Sequence, residues 1–287
     1  MKFNNYKIEK NKPLASFTWF NVGGMSKYYF QPRNVESLEN YLKNSSINNY
    51  IYPLGAGSNI LIRDKGYDGL IIHFNKLNNI LLETDGTISA DCGATDAEVA
   101  RFARNNNRSG LEFLIGIPGT IGGGIKMNSG AYGSDFKNVL IDTLAINKSG
   151  KIKTFTVKDL NLNYRTNQIS DDWIFLRARL KTYDGFHNDI QKKMKQIILD
   201  RKNSQPTGVK TGGSTFMNGK DYKAWKLIEK SGCRGLKVGG ARISEKHCNF
   251  ILNENNAKAD DIERLGEIVR EKVYENTGKI LKWEIKI

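Results

Sequence analysis

Up to about Gly185 the apolar positions of this chain recur mostly at the period of a strand. "YIYPL" (Tyr50–Leu54) is short, aromatic and β-branched and predicts a strand. "NILIRD" and "GLIIHF" continue that character, and "NILLE" and "TISAD" flank "TDG", a hairpin signal. One helix has a marked start. Thr95 is followed three residues later by Glu98, the capping-box spacing, and Val99, Phe102 and Ala103 then fall on one face. It runs down at "RNNNRSG". Beyond it, "VLIDTLAIN" and "KIKTFTV" predict strands around "KSG", and "DWIFLRARLKTY" predicts another. This part is strand-rich with few helices, and strand and helix do not alternate as in a doubly wound sheet.

After Gly185 the period changes. "HNDIQKKMKQIILDRKN" carries Ile190, Met194, Ile197 and Ile198 at helical spacing, and "DYKAWKLIEKSG" predicts a short helix closing at Gly232. "ARISEKHCNFILN" reads as extended. "ADDIERLGEIVREKVYENTG" places Ile262, Leu265, Val269 and Val273 on one stripe with Gly278 as its stop, and "KILKWEIKI" predicts a final strand.

Two stretches have neither period. "PLGAGSN" covers Pro53, Leu54, Gly55, Ala56, Gly57, Ser58 and Asn59. "IPGTIGGGIKMNSGAYG" runs from Ile117 to Gly133. Glycine lets backbone approach a ligand closely and turn with positive φ, and successive N–H groups of such a turn form a concavity that suits a phosphate oxygen. Ser58 and Asn59 add side-chain donors. Two familiar phosphate motifs do not apply. The dinucleotide fingerprint would start at Gly55 and Gly57, but Ile60 occupies its third glycine position and no βαβ context surrounds it. "GSTFMNGKD" has the wrong glycine spacing for a P-loop and ends in Asp221. In the longer block Ile117, Ile121, Ile125 and Met127 are too apolar for a solvated loop. A buried loop must satisfy its backbone polar groups, and a large cofactor with amide-like edges and a pyrophosphate would do so.

Composition narrows the class further. The chain has 287 residues, enough for a substantial core and more than one domain, and 39% of them are apolar, with no run of membrane-spanning length. The opening "MKFNNYKIEKNKP" lacks the apolar centre of a secretion signal, so a cytoplasmic protein is expected. The net charge of +14 favours anionic partners, whether phosphate-bearing cofactors, sugar nucleotides or nucleic acid. No zinc-finger spacing, basic zipper or RNA-recognition signature supports nucleic acid. Cys92, Cys233 and Cys248 have no C-x-x-C spacing and read as buried free thiols; His73, His187 and His247 are scattered, so no metal is expected.

In order along the chain, "PLGAGSN", "GIPGTIGGGIKMNSGAYG", "NYR", "GGSTF", "ARISEKHCNFILN" and "KWEIK" together resemble the MurB family of UDP-N-acetylenolpyruvoylglucosamine reductases. The resemblance covers nearly the whole chain. It implies an FAD-binding region of the vanillyl-alcohol-oxidase (PCMH) type, built from two α+β subdomains over residues 1–185 and divided near residue 75. A C-terminal α+β substrate-binding domain would follow over 186–287. It also implies the reaction: NADPH reduces FAD, and hydride from flavin N5 passes to the enolpyruvyl ether of UDP-N-acetylglucosamine enolpyruvate, giving UDP-N-acetylmuramate for peptidoglycan. The cofactor contacts it implies are the whole of "PLGAGSN" and, in the longer block, Ile117, Pro118, Gly119, Ile121, Gly122, Gly123, Gly124, Asn128, Gly130, Ala131 and Gly133.

Hydride transfer to the vinyl carbon builds negative charge on the neighbouring carbon and the substrate carboxylate. That chemistry needs cationic or hydrogen-bonding groups at the carboxylate and a proton source at the carbon. By resemblance, Arg165 binds the carboxylate, Ser214 donates the proton and Glu284 polarises the acid. Asn218 matches an asparagine near the substrate phosphates. Taken singly, Arg165 reads as a surface arginine, Ser214 as a turn serine and Glu284 as an outward strand charge. The chain departs from the family at Asn167, a frequent serine, at Met217, a frequent lysine, and at Gly219, a frequent proline. The interval from Arg165 to Ser214 is too short for the segment carrying a substrate-covering tyrosine, so the chain matches the short subtype. Arg201, Gln205 and Lys210 are candidates for the phosphates by proximity in sequence. A monomer that neither inserts in a membrane nor binds nucleic acid is expected. Two other readings remain: a flavin oxidase of the same cofactor fold acting on an alcohol or sugar, and a nucleic-acid binder relying on the positive charge.

Overall fold

The computed structural model describes residues 7–44 and 50–287. The first six residues, part of the polar segment that argues against a secretion leader, lie outside the described residues. Contacts gather the chain into two units, neither of them one run of sequence. The first takes Tyr28–Ala56, Asp68–Arg201 and the described residues before Asn11. The second takes Asn11–Lys27, Gly57–Tyr67 and Lys202–Ile287. The helix His187–Ser204 carries the chain across that division, and "PLGAGSN" is divided after Ala56.

The two larger sheets are built mainly from residues of the first unit. One has the strands Ile8–Pro13, Met25–Phe30, Tyr67–His73 and Ile51–Leu54 in that spatial order; the last two run parallel, with Leu54 opposite His73. Helix Val35–Asn44 turns Leu38, Tyr41 and Leu42 into a core shared with Phe30, Leu70 and Ile72. The other sheet is antiparallel, ordered Ile152–Thr156, Leu140–Asn147, Trp173–Leu180, Ile88–Asp91 and Ile80–Leu82. The "TDG" hairpin forms there, with Ile80 opposite Ala90. Helix Asp96–Asn105 starts at the expected capping box, Thr95 and Glu98 each satisfying a backbone N–H of the other, and buries Val99, Ala100 and Ala103. Such a cap stabilises a helix by about 1 kcal/mol.

The second unit is organised by helix Ala259–Thr277, whose Ile262, Leu265, Val269 and Val273 are fully buried and whose stop, Gly278, has φ +67°. Each such side chain contributes about 1.5–3 kcal/mol by leaving water. They share a core with Phe20, Leu61, Phe216, Ile228 and Leu281. Helix Ala224–Lys230 and a three-stranded sheet, Lys237–Val238, Ala241–Ile243 and Ile251–Asn253, complete it.

Several expectations are corrected. "NILIRD" and "KILKWEIKI" are not strands: their only ladder contacts among the described residues are the isolated bridges Ile60–Lys286 and Phe216–Trp283. β-Branched residues favour a strand only where a partner backbone runs alongside for several residues. "ARISEKHCNFILN" is interrupted by a turn in which the Ser244 hydroxyl accepts from the Lys246 and His247 N–H groups. Ile198 is 51% exposed, because it falls one position past the face set by Ile190 and Met194. The strands Ile8–Pro13 and Met25–Phe30 and helix Val35–Asn44 carried no pattern strong enough to be read from sequence.

Candidate functional site

The longer glycine block is not a loop throughout: residues Ile121–Met127 form a helix. Its glycines give it low intrinsic helicity, so tertiary contacts hold it. The Ile121 and Gly122 N–H groups donate to the Ala94 and Cys92 carbonyls at 3.0 and 2.9 Å, and Ile121 and Ile125, one turn apart, are fully buried. Gly124 lies so close to the Phe136 ring that a Cβ there would collide with it. Gly123 is the exposed glycine of this helix.

Several backbone donors around this helix are left without a backbone partner. Among the described residues, the N–H groups of Gly119, Thr120 and Gly123 meet no backbone carbonyl, and neither do those of Gly55, Ala56 and Gly57. Gly55 packs against the Thr120 hydroxyl, at a distance that leaves no room for a Cβ. Pro53–Ala56 and the 117–124 segment therefore meet within the first unit. A buried pair underlies that meeting. His73, at the end of the strand beside Ile51–Leu54, hydrogen-bonds the Gly55 backbone, and the Tyr29 hydroxyl lies 2.6 Å from its Nδ1. Burial lowers the His73 pKa to about 4, so the ring is neutral at neutral pH. The polar end of the apolar run "GLIIHF" is the sequence signal for this residue.

Farther along, Asn128 ends the helix in a left-handed conformation, φ +39°, and is buried. Its Oδ1 accepts from the Lys137 N–H at 2.9 Å, and its Nδ2 donates to the Asn163 carbonyl at 3.1 Å. Asn167 donates from Nδ2 to the Lys126 carbonyl at 2.7 Å. These two amides pin a tight turn, Asn163–Thr166, whose ends bond each other at 3.0 and 3.2 Å and whose third residue is Arg165. Arg165 has φ +57°, a conformation that favours glycine, and its guanidinium lies 5.1 Å over the Tyr164 ring. Strained backbone at a non-glycine residue clusters at functional sites. The turn and residues 130–135 line a cleft of about 400 Å³. Its wall includes Tyr132, also left-handed at φ +53° and absent from the sequence reading. Gly133 beside it has open space where a Cβ would stand. Arg201, in the same unit, is drawn below its ordinary pKa by burial and is opposed in this by Tyr132.

Ser214 and Glu284 belong to the second unit, where short backbone bonds bring three distant segments together. The Thr215 N–H donates to the Asn249 carbonyl at 2.8 Å, and the Glu284 N–H donates to the Thr215 carbonyl at 2.9 Å. Asn59 Nδ2 donates to the Glu284 carbonyl at 3.1 Å, while the Lys286 N–H donates to the Asn59 carbonyl, also at 3.1 Å. Ser214, Glu284 and the "GSN" end of the first glycine turn are thus neighbours. Glu284 is 9% exposed, not an outward strand charge. Asn218 accepts from the Ala224 N–H at 3.0 Å, holding the start of the next helix. The Lys210 carbonyl accepts from the Asn253 N–H at 2.9 Å.

Residues 26–156 match the FAD binding domain family. The donors and close-packed glycines described above lie largely within that span and suit a phosphate-bearing ligand, so the chain is an FAD-containing oxidoreductase of α+β fold. Residues 205–287 match the C-terminal domain of UDP-N-acetylenolpyruvoylglucosamine reductase. The reductase of that name from Orientia tsutsugamushi (strain Boryong) is 45% identical over 99% of this chain and 95% of its own length. The one from Rickettsia prowazekii (strain Madrid E) is 43% identical over 98% and 95%. The crystal structure of the MurB reductase from Thermus caldophilus superposes with a TM-score of 0.84 at 27% identity, covering 99% of both chains. The chain belongs to the UDP-N-acetylenolpyruvoylglucosamine reductase family.

Proposed function

We propose that this chain reduces the enolpyruvyl ether of UDP-N-acetylglucosamine enolpyruvate to UDP-N-acetylmuramate in peptidoglycan synthesis, with NADPH as the source of hydride. The observation that carries the reading is 45% identity to a named reductase over 99% of the chain, with "NYR", "GGSTF" and "KWEIK" all present. The "PLGAGSN" turn and residues 117–133 would hold FAD, which would supply the hydride-carrying chemistry between the nicotinamide and the terminal vinyl carbon. Flavin contacts come from residues before Gly185 and substrate contacts mainly from the domain after it.

The side chains have separate tasks. Arg165 holds the substrate carboxylate through two parallel hydrogen bonds and stabilises the negative charge that develops there. Its left-handed turn, braced by Asn128 and Asn167, presents the guanidinium from a rigid support. Ser214 gives its hydroxyl proton to the carbon next to the hydride acceptor. Glu284, held low in exposure beside Thr215, polarises the acid end of the substrate. Asn218, fixed by its bond to Ala224, lies near the UDP phosphates. The protein is of the short subtype. It acts in the cytoplasm as a monomer, neither inserting in a membrane nor binding nucleic acid; no described helix is long and apolar enough to cross a membrane.

Anaerobic half-reactions test this directly. The purified protein should be yellow, bleach with NADPH, and recover its colour on addition of the enolpyruvyl UDP-sugar. A colourless protein that takes up no FAD would end the reading, as would bleached flavin that the UDP-sugar leaves reduced.

A further inference from the structure

The turn that carries Arg165 is held less by burial than by hydrogen bonds. Leu162 before it is fully buried, while Asn163, Tyr164 and Thr166 are exposed. Arg165 keeps φ +57°, a conformation an arginine holds only where its surroundings enforce it. One enforcing contact is the side chain of Asn167, one residue past the turn. Its Nδ2 donates to the Lys126 carbonyl at 2.7 Å, and its Oδ1 accepts from the Ile169 N–H at 3.0 Å. Both ends of the amide are engaged, on two different segments.

The Lys126 carbonyl belongs to the last turn of helix Ile121–Met127, where carbonyls have no partner further along the helix. Asn167 supplies one. The same helix contains Gly122, Gly123 and Gly124, and its seven residues rise only about 10 Å. Backbone proposed to line the flavin and the guanidinium proposed to hold the substrate carboxylate are thus joined through one short element. The Lys126–Asp171 ion pair spans nearly the same two segments, but Asp171 is 92% exposed, and an ion pair so open to water holds weakly. The part-buried amide of Asn167 is the stronger tie.

We propose that Asn167 is a positioning residue for the reaction: by tying the Arg165 turn to the end of the glycine helix, it fixes where the guanidinium meets the substrate carboxylate relative to the flavin. This rests on the reductase reading and adds a residue to it. Asn167 acts through Arg165 and touches neither substrate nor cofactor. Its removal therefore slows the step in which the substrate is reduced and spares the step in which NADPH bleaches the flavin. A residue that merely supported the fold would lower stability, and any loss of rate it caused would not depend on Arg165.

The experiment is a double-mutant cycle on single-turnover reoxidation of the NADPH-reduced enzyme by the enolpyruvyl UDP-sugar, with wild type, Asn167→Ala, Arg165→Ala and the double variant. Asn167→Ala is expected to bleach with NADPH at the wild-type rate and to reoxidise about 10- to 100-fold more slowly, the scale of a reacting group misplaced by about an ångström. In the Arg165→Ala background the same substitution should change the rate by less than about 2-fold. Asn167→Asp keeps the acceptor for Ile169 but not the donor for Lys126. It should lose as much as Asn167→Ala, and it takes that variant's place in the cycle should Asn167→Ala not fold. A wild-type reoxidation rate in either variant, or a loss that persists undiminished once Arg165 is removed, overturns the proposal and leaves the reductase reading standing. A wild-type enzyme whose reduced flavin the UDP-sugar leaves bleached sinks that reading instead.

Discussion

The glycine-rich backbone of the first unit and the Ser214–Glu284 cluster of the second place their polar groups by opposite means. Around Gly119–Gly124 four of six side chains are absent, the N–H groups of Gly119, Thr120 and Gly123 meet no backbone carbonyl among the described residues, and Cys92 and Phe136 pack against the glycines; a Cβ on Gly122 would come 2.9 Å from that of Cys92. Around Ser214 the polar groups proposed to act are side chains, and backbone pairing from Asn59, Asn249 and Glu284 sets where they stand. The first arrangement is sensitive to added atoms and the second to removed ones. Arg165 combines them. It is the side chain proposed to hold the substrate carboxylate, on a turn position that favours glycine.

The largest effect should come from deletion in the second region. Ser214→Ala is expected to bleach normally with NADPH but to lose about 10²–10⁴-fold in reoxidation by the UDP-sugar, the scale of a missing general acid. Equal losses in both half-reactions would take Ser214 out of the proton-donor role. Next is Arg165→Gly, which should lower reoxidation by about 10²–10³-fold. It should also raise stability by about 1 kcal/mol, because glycine relieves the φ of +57°. A loss of stability in urea titrations would show that the turn is not strained.

The support beneath the first glycine turn should respond to pH. His73 titrates near 6.5 when unfolded and near 4 when folded, so between those values the unfolded chain binds more protons. Stability is therefore lost as pH falls from about 6.5 to 4, by about 3 kcal/mol at the acid end. His73→Gln should flatten that limb while keeping a hydrogen bond toward Gly55; an unaltered slope would assign the acid sensitivity elsewhere. Smallest are the two glycine substitutions that separate packing from ligand approach. Gly124→Ala should cost about 1–3 kcal/mol through the Phe136 ring. Gly123→Ala, at the exposed helix position, should stabilise the flavin-free protein by about 0.5–1 kcal/mol yet weaken FAD binding. Should both glycines behave alike, the division between packed and ligand-facing backbone fails.

Local patterns were legible where one short stretch contained the whole cause. The Thr95–Glu98 capping box, the "TDG" hairpin, the Ile262–Val273 stripe and its glycine stop all stand as read, because neighbours within a few residues determine them. The ordered motifs also led to the family. Elements decided by distant partners were misread. The glycine block holds a helix only because Ala94 and Cys92 accept its first N–H groups, and "KILKWEIKI" forms no strand because its partners contribute single bridges.

The sequence by itself determined the α+β class, the family and the residue types available for hydride and proton transfer, since each follows from the order of residues along the chain. Tertiary structure alone decided that Glu284 is buried beside the Ser214 segment, that His73 holds Gly55, and that the Asp96 carboxyl is sealed against Gly119 without a partner. Burial and hydrogen bonding between segments far apart in sequence are properties of the packed chain. No local pattern of residues encodes them.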